Sequence, residues 1–433
     1  MRKVILSLVA LAVLWAAPVR AAEKAKSEKF FFKDGDVVVM IGDSITEQHL
    51  YSNYVEMWTV TRFPAWKLTF RNVGISGDRS TGGNRRFERD VLRLKPTALT
   101  VDFGMNDGNY TAFDEKTFKT YYDGLQGMAD QAKAAKIRVA WVTPQPLDTG
   151  DQGKTEPNKY NPTLEKYGDN GVKEIAKKND GLFVDQFHPY LAVLNKARGE
   201  MEKYSPITYT PGKGGDAVHP APPGQAVMAA SILKGLSFPK LVASVEIDAA
   251  KTSGTAKNAK VTDVTEKDGR LSFQQLDQAI PFFPPEAESI LKWSPILDDL
   301  TDYRLKVTGL KDGSYEVRLG GKKVAEYSAA ELAKGINLAA AALKEGPVAD
   351  QAKAVKTAIE KKNQYHHDRI FRGVVLAGVQ VPDWLDLKLN QAEIERRRQA
   401  AFEERLAKMS EYDDAVRNAL EMKPHTVEIV PAK

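Results

Sequence analysis

Two segments of the sequence carry residue types that can activate a serine hydroxyl. Residues 42–44 have the sequence Gly-Asp-Ser and directly follow an apolar run, so the Ser44 hydroxyl can face solvent where the chain turns. Residues 216–220 have the sequence Asp-Ala-Val-His-Pro. A spacing of three lets the Asp216 carboxylate accept the Nδ1 proton of His219 while Nε2 faces a nucleophile elsewhere, as general-base activation of serine requires. Taken alone, Ser44 could equally be a helix N-cap and the Asp/His pair a solvated turn.

Two further segments contain groups that can donate hydrogen bonds to an anion. Residues 72–78 (Asn-Val-Gly-Ile-Ser-Gly-Asp) place two glycines in a turn, where the backbone can approach a ligand and point its N–H groups into a site. Residues 104–108 (Gly-Met-Asn-Asp-Gly) offer the side-chain amide of Asn106, which can donate to an oxyanion. Each segment alone is more typical of an Asn/Gly/Asp turn, so neither identifies a site by itself.

Short apolar runs alternate with longer amphipathic stretches from residue 36 to about residue 239, and these elements must position the four segments. The runs are nearly continuous in apolar residues, as in parallel strands covered on both faces. Five strands are predicted, at residues 37–41, 68–72, 99–103, 137–142 and 182–184. Helices are predicted at about residues 51–61, 83–94, 113–136 and 162–178 and after Pro222. This pattern predicts a three-layer α/β domain with a mainly parallel sheet and a ligand site beyond the carboxyl ends of its strands.

Two longer loops interrupt this alternation, at residues 144–161 and 199–215. Both are rich in Gly, Pro, Lys and Asp, and both leave the sheet on the side where the ligand site is expected. We therefore expect them to border the substrate cleft.

The four polar segments resemble the motifs of the SGNH (GDSL-like) hydrolases. They stand in the same order along the chain as those motifs, and at that family's strand ends. Residues 36–237 resemble that family throughout, and a joint match of four ordered motifs is far more specific than any one of them. The resemblance implies a flavodoxin-like SGNH hydrolase domain, with boundaries at residues 22–239. The loop before Asp216 is longer than in compact members, so the match says little about the substrate.

The resemblance also implies roles for individual residues. It implies Ser44 as the nucleophile and His219 as the base, oriented by Asp216. The implied oxyanion hole consists of the N–H groups of Ser44 and Gly77 and the side chain of Asn106. The implied reaction is hydrolysis of a carboxylic ester through an acyl-serine intermediate, with no metal and no organic cofactor.

Several other residues are candidates for binding. His49 could line the cleft or cover the first helix, and Trp293 and Phe283 could stack on sugar rings. For the aromatic residues Trp141, Trp293, Phe282 and Phe283, burial in a core is the commoner alternative. Residues 366–368 (His-His-Asp) could be metal ligands. Because adjacent helical residues point in different directions, a solvated helix face is the favoured interpretation there.

The N-terminus and the composition indicate the compartment. Arg2 and Lys3 precede an apolar run at residues 4–17, and small residues around Ala21 form a signal-peptidase site, so residues 1–21 are predicted to be a cleaved signal peptide. About 14 apolar residues are too few for a membrane anchor, which needs ~20. Cleavage would lower the formal net charge from +5 to near neutrality, which gives no case for a nucleic-acid partner. With no cysteine in 433 residues, we expect a periplasmic or secreted protein without disulfides.

The C-terminal half has a different texture. Residues 240–328 are predicted to form a small β-rich region, with residues 251–260 looking loose, and residues 329–433 a helical region that ends in one long amphipathic helix. This helix could pair with another chain, but packing back onto the α/β domain is favoured. Because the β segments carry apolar residues and no long linker precedes them, we expect the C-terminal half to dock closely.

Polar cleft loops on an exported hydrolase favour a hydrated substrate, and we expect O-acetyl groups on carbohydrate. The alternative enzymes are a lipase, a lysophospholipase or an acyl-thioester hydrolase, which need an apolar channel. A different class of function is also open for the C-terminal half, which could be a non-catalytic interaction module.

Overall fold

A computed structural model of the chain describes residues 29–148, 159–198, 204–378 and 390–432. The predicted signal peptide, residues 1–21, lies outside these ranges. Within them, no helix combines the length and the apolar character that crossing a membrane requires.

A five-stranded sheet forms the centre of the N-terminal half. Its strands are β1 (Val37–Gly42), β2 (Thr69–Asn72), β3 (Ala98–Asp102), β4 (Arg138–Val142) and β5 (Leu182–Val184). Their order in the sheet is β2-β1-β3-β4-β5, and every neighbouring pair is parallel. The predicted parallel sheet is therefore confirmed. Its central strands are buried on both faces, as their continuous apolar runs indicated.

Helices cover both faces of this sheet. In chain order they are α1 (Ser44–Glu47), α2 (Leu50–Arg62), α3 (Ser80–Asp90), α4 (Glu115–Ala134), α5 (Tyr160–Lys166), α6 (Lys173–Lys178), α7 (Phe187–Ala197) and α8 (Pro222–Gly235). One hydrophobic core contains α2, α7 and α8, and a second contains α3, α4 and α6. The predicted three-layer α/β architecture is therefore confirmed.

Two further sheets make up the β-rich region that follows. The first is mixed and the second is antiparallel. The first consists of β6 (Leu241–Asp248), β7 (Ser253–Lys257), β10 (Asp302–Thr308) and β13 (Ile336–Asn337). The second consists of β8 (Ala259–Lys267), β9 (Arg270–Asp277), β11 (Ser314–Leu319), β12 (Lys322–Ser328) and β14 (His425–Pro431). The two sheets share one hydrophobic core.

Two features of this region differ from the sequence analysis. The interpretation of residues 251–260 as loose was wrong, because they contain β7 and the start of β8. Most β7 side chains are exposed, so they lack the apolar alternation that marks a strand. Strand β14 lies between β11 and β9, although it belongs to the part of the chain that was predicted to be helical.

The remaining helices pack onto the α/β domain or onto the β-rich region. They are α9 (Ile296–Leu300), α10 (Ala329–Lys334), α11 (Ala339–Ala342), α12 (Pro347–Tyr365), the π-helix His366–Val375 and the long α13 (Gln391–Ala419). Val355 and Ile359 of α12 belong to the same core as α2, and Phe402 and Met409 of α13 to the same core as α3 and α4. The expected close docking of the C-terminal half is confirmed by these shared cores.

Candidate active site

Ser44 lies where β1 ends and α1 begins, at the carboxyl edge of the parallel sheet. Asp43 caps the helix, since its Oδ1 accepts a hydrogen bond from the Ile45 N–H over 2.9 Å. Gly42 permits the turn, because a Cβ at this position would lie 2.1 Å from Oγ1 of Thr46 and 2.6 Å from the carbonyl oxygen of Asp102. Ser44 is thus the first residue of α1, and its side chain is partly exposed.

The side chains of Ser44, His219 and Asp216 form one hydrogen-bonded chain. The Ser44 Oγ lies 2.8 Å from Nε2 of His219. Nδ1 of the same ring lies 3.0 Å from Oδ2 and 3.1 Å from Oδ1 of Asp216. The structure therefore brings together the three residues to which the sequence assigned nucleophile, base and orienting carboxylate.

The loop that carries Asp216 and His219 is held by hydrogen bonds within the loop and by bonds from the loop after β4. The Oδ1 of Asp216 also accepts hydrogen bonds from the backbone N–H groups of Val218 and His219, both over 2.8 Å. Two residues of the loop after β4 also hold it. The Gln145 amide donates to the Val218 carbonyl over 3.2 Å, and the Asp148 N–H donates to the Ala217 carbonyl over 2.9 Å. The described part of the loop at 144–161 thus supports the candidate site.

Hydrogen bonding keeps Asp216 ionised. Burial of its carboxyl group raises its pKa, but the N–H groups of His219 and Val218 together with the His219 ring lower it by more. The net pKa of Asp216 is below its ordinary value. A carboxylate that stays charged in this position holds the His219 ring in the tautomer whose Nε2 can accept a proton.

The turn after β2 presents the predicted backbone donor. Gly77 has φ +72°, a left-handed conformation that favours glycine, and nothing lies within 4 Å of where its Cβ would be. Within the described ranges, no protein acceptor is hydrogen-bonded to the N–H of Gly77 or of Ser44. Both groups are therefore free to donate to a substrate oxygen.

Asn106 lies between this turn and Ser44. Its Nδ2 donates to the Asp78 carbonyl over 3.0 Å and to Oδ2 of Asp43 over 3.2 Å, and its Oδ1 accepts from the Tyr110 hydroxyl over 2.9 Å. The amide is thus oriented on both sides. The contact to Asp43 is the longer of the two that the amide nitrogen makes.

Buried carboxyl groups support the loops around the site. Burial raises the pKa of Asp43 to about 7 and that of Asp107 to about 6. Oδ1 of Asp107 accepts from the backbone N–H of Ser80 over 2.9 Å and from its hydroxyl over 2.7 Å, so this residue tethers the start of α3.

Within the described ranges, the predicted substrate-binding residues His49, Phe283 and Trp293 contact other parts of the molecule. The ring nitrogens of His49 are shielded from solvent, and its ring contacts that of His367 edge to face, with centroids 5.1 Å apart. Phe283 is buried against Trp58, and Trp293 packs against the same core. Phe283 also lines a cavity of about 1290 Å³ between the β-rich region and α12, whose lining contains no residue of the Ser44 site.

The placement of residues 366–368 corrects another expectation. The prediction of a solvated helix face is wrong for His366. This residue is 2 % exposed, because it lies on the buried side of the π-helix. Burial lowers the pKa of His366 well below its ordinary value. In the part of the chain that the structure describes, no three His, Asp or Glu side chains are arranged to hold a metal ion.

Two residues near the site were missed by the sequence analysis. Arg86 is buried and donates to the carbonyl oxygens of Gly42 and Val73. These two hydrogen bonds connect the end of β1 to the end of β2. Tyr110 is 45 % exposed, adopts φ +58°, and contacts Asn106. A non-glycine residue in this left-handed region is uncommon, but no sequence signal marked it.

Comparisons with known proteins agree with this geometry. Residues 40–227 match the model of the GDSL-like lipase/acylhydrolase family. These residues form a GDSL-like (SGNH) hydrolase domain. The protein is therefore a hydrolase of the esterase/acylhydrolase class, and the resemblance seen in the sequence is confirmed.

Individual relatives of this hydrolase cover different parts of the chain. An acetylxylan esterase from Geobacillus stearothermophilus is 25% identical over 225 residues, which are 47% of this chain and 95% of the relative. A solved structure of an acetylxylan esterase from the same organism is 24% identical, covers 48% of this chain and 97% of its own, and has a TM-score of 0.40. A solved structure described as a gut microbial diltiazem-metabolizing enzyme is 24% identical, covers 93% of this chain and 98% of its own, and has a TM-score of 0.76. The last similarity shows that the fold of this hydrolase, including its C-terminal half, occurs in another protein.

Proposed function

We propose that this protein is an exported serine esterase that removes O-acetyl groups from carbohydrate through an acyl-Ser44 intermediate. One observation carries the proposal. Ser44, His219 and Asp216 are linked through distances of 2.8 Å and 3.0 Å at the carboxyl edge of the sheet, where they are partly exposed. This is the arrangement in which an imidazole can take the proton of a serine hydroxyl.

Acylation begins at the Ser44 hydroxyl. As its Oγ attacks the ester carbonyl carbon, Nε2 of His219 takes the hydroxyl proton, and the Asp216 carboxylate stabilises the imidazolium that forms. The imidazolium then protonates the oxygen of the leaving alcohol. The carbon–oxygen bond to that alcohol breaks, which leaves the acyl group on Ser44.

Deacylation repeats these steps with water. His219 takes a proton from a water molecule that attacks the acyl carbon, and it returns the proton to Oγ of Ser44 as the acid leaves. In both steps a negative charge develops on the carbonyl oxygen. The N–H groups of Ser44 and Gly77 and the Asn106 amide are the donors proposed to stabilise it.

Two exposed aromatic rings support a carbohydrate as the alcohol part of the ester. Tyr110 and Tyr209 are each 45 % exposed, which is unusual for large side chains in the described ranges. Tyr110 contacts Asn106, and Tyr209 lies in the loop before Asp216. The exposed ring of Tyr110 beside a polar site suits the apolar face of a sugar. The similarity to an acetylxylan esterase is consistent with this substrate class.

The proposal of export rests on the N-terminal sequence. Arg2 and Lys3, the apolar residues 4–17 and the small residues before Ala22 have the order of a cleaved signal peptide. Fractionation of the native host, with the N-terminus of the protein sequenced from each fraction, tests this part. A chain that begins at Ala22 in the periplasm or medium is expected, and an uncleaved cytoplasmic chain would contradict it.

A substrate series tests the specificity. We expect hydrolysis of nitrophenyl acetate to exceed that of the octanoate and palmitoate esters, and acetate to be released from acetylated xylo-oligosaccharides. Tyr110→Ala should raise KM on the oligosaccharide more than on nitrophenyl acetate, whereas Tyr110→Phe, which keeps the ring, should not. A preference for long acyl chains, without acetate release, would contradict the proposal and favour a lipase or lysophospholipase.

A further inference from the structure

Glu47 lies directly under the turn that carries Gly77. This residue ends α1, three positions after Ser44, and its side chain is only 8% exposed. Its Oε2 accepts from the backbone N–H of Ser76 over 2.6 Å and from the Ser76 hydroxyl over 2.5 Å. Two hydrogen bonds to one oxygen fix both the backbone and the side chain of Ser76.

Fixing Ser76 also fixes a donor of the proposed oxyanion hole. The N–H of Gly77 belongs to the peptide group that links Ser76 to Gly77. Gly77 has no side chain, lies in a left-handed conformation at φ +72°, and has nothing within 4 Å of where its Cβ would be, so it adds no side-chain packing that holds this peptide. Its direction therefore depends on how Ser76 is held.

The second oxygen of Glu47 is held by the C-terminal half of the chain. Oε1 accepts from Nη2 of Arg372, which lies in the π-helix His366–Val375, and Nε2 of His367 lies 3.6 Å from the same oxygen. Arg372 is outside the family match at residues 40–227. An element beyond the hydrolase domain thus reaches the residue that supports the turn.

The charge on Glu47 needs this partner. Burial raises the pKa of Glu47, but the hydrogen bonds from Ser76 and Arg372 lower it by more, so the carboxyl group is ionised at neutral pH. A buried carboxylate without a cation is costly and rearranges toward solvent. Loss of Arg372 would then release Ser76 as well.

We propose that Glu47 is a positioning residue for the Gly77 oxyanion donor and that Arg372 of the C-terminal π-helix holds it in place. This inference rests on the proposed function, since it concerns the same oxyanion hole. It gives the C-terminal half a part in catalysis that needs no contact between that half and the substrate.

A contact that positions an oxyanion donor has its largest effect in the transition state. Its loss should lower kcat and leave KM almost unchanged, because the ground-state ester carbonyl gains little from the donor. We expect Arg372→Met to lower kcat on nitrophenyl acetate about 10- to 100-fold, less than the complete loss of an oxyanion donor. Arg372→Lys should recover most of this loss, because a single nitrogen contacts Oε1.

The experiment compares kcat, KM and melting temperature for Arg372→Met, Arg372→Lys, Glu47→Gln and the Arg372→Met/Glu47→Gln double variant. Arg417→Met is the matched control, since Arg417 is 47% exposed against 52% for Arg372 and pairs with Asp414 on the surface of α13. The double variant should be no slower than Glu47→Gln alone, because both residues act through the same turn. Glu47→Gln keeps the shape of the side chain, so it reports on the turn even if another variant folds poorly.

The results separate this inference from the proposed function. If Ser44→Ala keeps full activity, the proposed function fails. If Ser44→Ala is inactive and Arg372→Met matches Arg417→Met in kcat, or if the two single losses multiply in the double variant, only this inference is overturned. A rise in KM at constant kcat would also overturn it.

Discussion

The hydroxyl of Tyr110 donates a hydrogen bond to Oδ1 of Asn106 over 2.9 Å, and this contact leaves the amide nitrogen directed at Asp78 and Asp43. Tyr110 therefore fixes the orientation of the Asn106 amide, whose nitrogen is directed at Asp43, the residue before Ser44. This exposed ring is therefore part of the support for a proposed oxyanion donor.

Removal of the Asn106 amide should produce a large kinetic defect. Asn106→Ala is expected to lower kcat about 100- to 1000-fold on nitrophenyl acetate, because one donor to the oxyanion is lost. The variant should melt close to the wild-type temperature, since Asn106 is only partly buried. Steady-state kinetics and thermal melts test this, and a variant within about threefold of wild-type kcat would remove Asn106 from the oxyanion hole.

The Tyr110 contact predicts a smaller effect. Tyr110→Phe keeps the ring but removes one neutral hydrogen bond, whose net worth of about 0.5–1.5 kcal/mol corresponds to a two- to tenfold lower kcat. In an Asn106→Ala background the same change should have almost no effect, because its partner is gone. Independent effects of the two substitutions would show that Tyr110 does not act through Asn106.

A buried ion pair joins the C-terminal half to α2 and predicts a change in stability. Nζ of Lys362 lies 2.6 Å from Oε1 of Glu56, and the two side chains are 1% and 4% exposed. Lys362→Met should lower the free energy of unfolding by about 3–5 kcal/mol, because it leaves an unpaired buried carboxylate. The double variant Lys362→Met/Glu56→Leu should regain part of that loss.

Denaturant titrations measure these changes. Lys119→Met is the control, since Lys119 is 73% exposed and pairs with Asp123 on the surface of α4. The control should change the free energy of unfolding by less than about 0.5 kcal/mol. Equal effects of the two lysine substitutions would contradict a special role for the buried pair.

His425, the first residue of β14, predicts a pH-dependent contribution to stability. It is 8% exposed, and burial lowers its pKa to about 4. Above about pH 6.5 it is neutral in both the folded and the unfolded chain. As the pH falls from 6.5 toward 4, the unfolded chain binds a proton that the folded chain excludes, so stability falls by about 1.4 kcal/mol per pH unit.

His425→Phe removes this linkage. Relative to wild type, the variant should gain about 2 kcal/mol in free energy of unfolding when the pH is lowered from 7 to 5. His188→Phe should show the opposite trend, because the pKa of His188 is raised: slight burial lowers it, but Asp185 and Glu165 raise it by more. A His425→Phe difference that is the same at both pH values would contradict the assignment.

The parts of this structure that the sequence predicted are those governed by local rules. A parallel strand covered on both faces has a continuous apolar run, and β1 and β3 are recognisable on that ground alone. Three of the four polar segments follow the ends of β1, β2 and β3, so their convergence at one edge followed from the topology, whereas residues 216–220 directly precede α8. Strand β14 could have been found, because the apolar residues Val427 and Ile429 alternate with the polar residues Thr426 and Glu428.

Other features depend on contacts that no local pattern encodes. Arg372 and Glu47 are 325 positions apart, and neither residue type indicates its partner. Lys362 is of a type that is seldom fully buried, so its residue type favours a solvated face, although the side chain is 1% exposed. The placement of Lys362 and Arg372 follows from how α12 and the π-helix pack on α2, which only the tertiary structure shows.

Covalent labelling of the activated serine locates the nucleophile. The protein is treated with a fluorophosphonate that reacts with activated serine hydroxyls, digested, and analysed by mass spectrometry, with the Ser44→Ala variant treated in parallel. We expect one adduct per chain on the peptide that contains Ser44, none in the variant, and a variant that folds normally but is at least about a thousandfold slower on nitrophenyl acetate. An adduct on another serine, or a folded Ser44→Ala variant that keeps more than about a hundredth of wild-type turnover, would contradict the assignment of Ser44 as the nucleophile.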